Sequence, residues 1–179
     1  MKKQQILQIG AVGILVLAAA MSRLIPHPMN FAPIAAMGIF GGAILKDKKY
    51  AYALPLVALF ISDAVIEATT GWGFYGVTQF YVYGATLLVT FLATFMKKTN
   101  AANVIGHALS GAVLFFAISN FGVWMEGLMY PKTGEGLLAC YAAAIPFFKN
   151  TVLSNLVYCG LLFGSYSLIN QTYFKKQLA

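Results

Sequence analysis

The sequence predicts an all-α membrane protein, a bundle of six transmembrane helices with a short extra helix ahead of the last span. Three observations point there. Of 179 residues, 60% are hydrophobic and 9% charged, against about 25% charged in an ordinary soluble domain. Six apolar runs approach the roughly 20 residues a helix needs to cross a bilayer. Lysine clusters at Lys2/Lys3, Lys46/Lys48/Lys49, Lys97/Lys98 and Lys175/Lys176 recur after every second run. Because positive charge near span ends stays on the cytoplasmic side, that alternation places both termini inside. The clusters hold nine of the twelve Lys and Arg residues, so the net charge of +7 reflects topology, and no nucleic-acid partner is expected. Continuous apolar runs, where a membrane barrel needs alternation, exclude a barrel.

The first run, 6–21, follows two lysines and ends near Ala18-Ala19-Ala20, the outline of a secretory signal; it is read as the first membrane helix. After it comes Arg23-Leu-Ile-Pro-His-Pro-Met-Asn-Phe-Ala-Pro33, whose three prolines make a stiff, non-helical connection. Such a segment either holds His27 and Asn30 over a cavity or simply turns the chain. The second run, 31–45, carries Gly38 and Gly42 at G-x-x-x-G spacing, which lets a helix approach a neighbour closely. The third, 51–69, contains Asp63 and Glu67 at i, i+4, on one helical face near its outer end. Charges inside a bilayer are costly. Two readings stand for them: a structural ion pair with Arg23, or contact with a ligand.

The fourth run is 77–96 and the fifth 104–121, the latter with His107 toward its inner end and Asn120 at its outer end. Residues 122–150 form the longest connection, too apolar for a solvated loop. Within it 136–145 reads as the short helix, ended or kinked by Pro146 before the last run at 151–169. Aromatic residues crowd the outer connections, Trp72, Tyr81, Trp124 and Tyr141 among them, and suit either an interfacial belt or a ring-lined pocket. Without repeats or linkers, residues 1–179 are expected to form one integral membrane domain.

No H-E-x-x-H, G-x-S-x-G, paired metal-ligand spacing or phosphate-cradling loop occurs, so neither an enzyme nor a bound cofactor or metal is expected. Cys140 and Cys159 both sit in apolar stretches, which argues against a disulfide framework.

The stretches Arg23-Leu-Ile-Pro-His-Pro-Met-Asn-Phe-Ala-Pro-Ile-Ala-Ala, Ile61-Ser-Asp63, Ser119-Asn-Phe-Gly-Val-Trp124 and Gly136-Leu-Leu-Ala-Cys-Tyr-Ala-Ala-Ala-Ile-Pro-Phe-Phe-Lys-Asn150 resemble an uncharacterised bacterial family of six-span proteins. That family is similar to the substrate-binding S components of energy-coupling factor (ECF) vitamin transporters. The resemblance implies an S-component-like bundle in the bacterial inner membrane that captures a small, vitamin-like nutrient from outside and presents it inward. It implies Asn30, Asp63, Trp72, Tyr81, Asn120, Trp124 and Tyr141 as substrate-binding residues. Cobalamin is among the ligands it brings into view, with Cys140 or His27 as the ligand to its metal. S components that dock to the shared ECF energising module often show A-x-x-x-A on the first helix, whereas here Ala11 is followed by Leu15. Coupling to that module, docking or self-association through Gly38 and Gly42, and solitary action therefore all stay open. The rivals to a carrier are a non-transporting membrane assembly protein and an intramembrane enzyme.

Overall fold

The computed structural model describes residues 3–174; Lys2, Lys175 and Lys176 of the lysine clusters lie outside them. Helix α1 is Lys3–Met21, followed by a single tight turn at Ser22–Leu24 and the proline-rich connection. Then come α2 (Ile34–Ile44), α3 (Lys48–Thr70), α4 (Gly76–Ala93), α5 (Ala101–Glu126) and α6 (Gly134–Ile169), the last running into a wider turn at Asn170–Phe174. Local chemistry sets several of the boundaries. Asp47, Asn100 and Thr133 each accept a backbone N–H in the first turn of α3, α5 and α6 with their side chains. Gly71 and Gly127 end α3 and α5 with φ of 73° and 75°, a left-handed cap that costs glycine least.

The five long helices close a ring in the order α1, α3, α4, α5, α6 and back to α1, and α2 packs against all five from inside. Two glycine faces allow this. A side chain at Gly38 would press on Thr90 Oγ1 at 2.8 Å and Thr86 O at 3.1 Å, and one at Gly42 would collide with Thr90 O of α4. On the adjoining face a side chain at Gly41 would press on Ala51 O and the Pro55 ring of α3, both at 2.9 Å. Gly38 and Gly42 are thus spent on helix packing inside the bundle, the close approach that their G-x-x-x-G spacing predicts, and neither is exposed for docking.

Helices 4–24, 48–70, 76–93, 101–126 and 134–172 are long and apolar enough to cross a membrane, the pattern of a multi-pass membrane protein. The expected second span differs. Helix α2 has 11 residues, about 16 Å at 1.5 Å per residue, roughly half a bilayer core. All of Ile34 to Gly42 is buried, so it is a central plug. A helix apolar on every side belongs inside protein.

The long connection differs too. Helix α5 continues to Glu126 and α6 starts at Gly134, leaving only 127–133 between them. The short helix expected at 136–145 is the first part of a 36-residue helix that passes through Pro146. Proline there forfeits one backbone bond, but both flanks are held by α5. Tyr141 donates its hydroxyl to Ala117 O at 2.6 Å, Phe148 packs on Phe116, and Asn155 donates to Ala108 O at 3.2 Å.

Candidate functional site

Because the plug reaches only partway, the bundle is hollow at the end where α1 finishes and α4 begins, here called the Arg23 end. A cavity of about 250 Å³ lies over the start of α2. Each helix around it contributes residues three or four apart, hence on one face: Thr78 and Val82 from α4, Phe116, Asn120 and Val123 from α5, Thr151 and Asn155 from α6. Tyr75, Phe115, Ser119 and, from the proline-rich connection and α2, Asn30, Ala32, Ile34 and Ala35 complete the wall. Asn30 has a φ of 61°, a left-handed conformation that asparagine tolerates better than most residues. Asn150 donates to Met29 O at 2.9 Å and ties the connection to α6.

Arg23, Asp63, Glu67 and Glu126, charged groups at this end, are engaged elsewhere. Arg23 Nη1 is 2.6 Å from both Asp63 Oδ1 and Ser62 Oγ, while Asp63 Oδ2 accepts from Gln79 Nε2 and Tyr83 OH, each at 2.7 Å. Asp63 is fully buried and does not border the cavity. Its bonds to Arg23, Gln79 and Tyr83 explain how a charge survives there, since a buried ion pair is tolerable only when its remaining sites are filled. Glu67 is not part of this pair. Its Oε2 accepts from the N–H groups of Gly73 and Phe74, at 2.8 and 3.1 Å, and folds 71–75 back over the end of α3. Glu126 bonds Val77 N and Thr78 Oγ1 at the start of α4. Burial, reinforced by the Asp63 charge and offset in part by Arg23, pushes the Tyr75 hydroxyl up to about 12.

Of the residues expected to bind substrate, Asn30 and Asn120 line the cavity. The others do not. Trp72 is 82% exposed on the α3–α4 connection. Tyr81 packs on Phe121, and Phe121 on Trp124, whose indole N–H donates to Pro131 O at 3.0 Å; the three rings seal the α4–α5 seam. Tyr141 and Cys140 stand one layer back. They donate to Ala117 O and Asn120 O, the latter at 3.4 Å, and so hold the part of α5 that carries Phe116 and Asn120. His27 is exposed, its ring nitrogen 3.0 Å from Pro28 O. With Cys140 buried outside the cavity and His27 outside the bundle, neither is placed to ligate a metal in a ligand held there. Among the described residues no three His, Cys, Asp or Glu side chains cluster as a metal site.

Sequence reasoning missed Thr78, Phe115, Phe116, Thr151 and Asn155 as lining residues. A signal existed: Thr151 and Asn155 are polar, four apart and within an apolar span, where such residues usually face protein.

Comparison with curated proteins and with solved structures gives no match. A family model does match, across residues 3–178. The chain therefore belongs to the family of unknown function DUF6580.

Proposed function

We propose that this chain is an integral membrane binding and transport protein for a small organic nutrient, held in the cavity at the Arg23 end and moved without covalent change. The observation that carries the reading is the cavity itself, lined by rings and by hydrogen-bonding side chains that converge from three helices and the proline-rich connection. Ligand sites are typically such mixtures. The described lysines of the clusters, Lys3, Lys46, Lys48, Lys49, Lys97 and Lys98, lie at the opposite end, which supports a cytoplasmic placement for that end and an outward-facing cavity. With the resemblance to S components, this favours uptake across a bacterial cytoplasmic membrane. At about 250 Å³ the space is just below the roughly 300 Å³ where drug-sized pockets begin. That size favours a one- or two-ring compound over a corrin. An ECF module remains a proposed partner.

The test is a thermal-stability screen of the purified protein against small nutrients of all charge types. One compound should raise the melting temperature, and Phe116→Ala and Asn120→Leu should remove the gain while Trp72→Ala keeps it. If a broad panel yields no shift, the carrier reading fails. A second reading, a non-transporting assembly protein, draws on Leu128 and Met129, which stand 84% and 74% exposed at the tip between α5 and α6. It expects self-association that Leu128→Ser with Met129→Ser abolishes.

A further inference from the structure

The cavity has a definite chemical character. Its wall contains no Asp, Glu, Lys, Arg or His. The buried or capping charges at this end are answered within the protein: Asp63 by Arg23, Gln79 and Tyr83, Glu67 by two backbone N–H groups, Glu126 by Val77 and Thr78. Lys132, Glu135 and Lys149 are exposed and not part of the wall, so an ionic ligand would give up its hydration and meet no counter-charge on the wall itself.

Two of the polar side chains around it are also occupied as donors. Asn120 Nδ2 donates to Phe116 O, and the Thr78 hydroxyl to Glu126. Asn155 is different. It is the lining residue of α6 furthest from the Arg23 end, 1% exposed, and its Nδ2 donates to Ala108 O. That bond fixes the amide orientation, since only the nitrogen can donate to a carbonyl. Its Oδ1 is buried without a partner. Buried acceptors are nearly always satisfied, so one left without a partner on a residue that lines a cavity marks a place for a donor.

Resting on the binding reading above, we infer that the cavity selects an uncharged, ring-shaped nitrogen compound that donates an N–H to Asn155 Oδ1, its ring lying against Phe115 and Phe116. Nucleobase-like lactams and ring carboxamides have this chemistry; permanent cations and carboxylates do not.

Matched probes test it on the purified full chain by equilibrium dialysis and thermal shift: nicotinamide, nicotinic acid and methyl nicotinate; uracil and 1,3-dimethyluracil; and thiamine. Nicotinamide or uracil should bind, with the charged or N–H-free analogue of the same ring weaker by about tenfold or more, the effect of leaving a buried acceptor unpaired. Asn155→Leu should erase that discrimination, and because it also removes the bond to Ala108 O its ligand-free melting temperature is recorded alongside. Should Asn155→Leu fail to fold, the paired probes on the unaltered protein decide alone. Binding of nicotinic acid or thiamine at least as tight as that of the neutral compounds overturns the inference, as does equal binding of uracil and its dimethyl analogue. Either result leaves a small-molecule carrier standing. No binding by any probe overturns the inference; no binding across the broad nutrient panel as well overturns the carrier reading with it.

Discussion

Thr78, which lines the cavity, donates its hydroxyl to Glu126 Oε2 at 2.5 Å across the α4–α5 seam, and Glu126 Oε1 accepts from the neighbouring Val77 N–H at 3.2 Å. A carboxylate from the end of one helix thus caps the start of another, where exposed N–H groups and the helix dipole favour negative charge. Gly76, at φ 56°, leaves room for it, because a side chain there would run into Glu126 Oε1.

Removing that carboxylate in Glu126→Ala is expected to cost about 1–3 kcal/mol, the range for stranding partly buried donors of a charged acceptor. Glu126→Gln should recover part of the loss. Equilibrium unfolding in mixed micelles measures both, and Gly76→Ala should fall in the same direction.

The Arg23 and Asp63 side chains are 9% and 0% exposed. Asp63→Ala strands the guanidinium and is expected to destabilise by about 3–5 kcal/mol, whereas the double change Arg23→Met with Asp63→Leu should recover most of this. The same unfolding assay distinguishes the two, and a double variant that stays folded should still bind ligand, since neither residue borders the cavity.

Glycines divide by what surrounds them. Gly42→Val forces a side chain into the α4 backbone and is expected to lose at least about 1–3 kcal/mol through overpacking. Gly10→Ala and Gly84→Ala meet no atom within 4 Å and should be neutral or slightly stabilising. Melting temperatures of the three variants side by side test the ordering.

Alkaline stability should report Tyr75. Its hydroxyl is raised from 10.0 to about 12 in the fold, so the folded state favours the neutral form. The stabilisation is fully present below pH 10 and is lost as pH rises from there through about 12, where the folded protein begins to ionise as well. Tyr75→Phe should therefore lose less stability than the unaltered protein across that window in a pH series of melts.

Much of the helical layout is written in the local pattern. Lysines mark one set of span ends, and capping residues such as Asn100 and Thr133 with the glycines at 71 and 127 mark several boundaries. The Arg23–Asp63 pair was readable as one of two possibilities, because an isolated charge in an apolar run needs a partner. The role of α2 was harder to read. A lipid-facing helix and one buried in protein are equally apolar, and only the brevity and small residues of 31–45 hinted at the second. Pro146 misled for the opposite reason: its local preference to end a helix was overridden by α5 packing on both sides of it. The aromatic residues at the Arg23 end could not be divided into wall and belt, since Trp72, Trp124 and Phe116 differ in what they touch and not in type.

Taken alone, then, the order of residues determined an apolar helical chain with lysines gathered at alternate span ends, because hydropathy, charge and capping act over one or two turns. Tertiary structure decided that five helices close around a half-length sixth and that a hollow remains above it. That space is the difference between two helix lengths, walled by residues as distant in sequence as Asn30 and Asn155, and no local preference encodes such a difference.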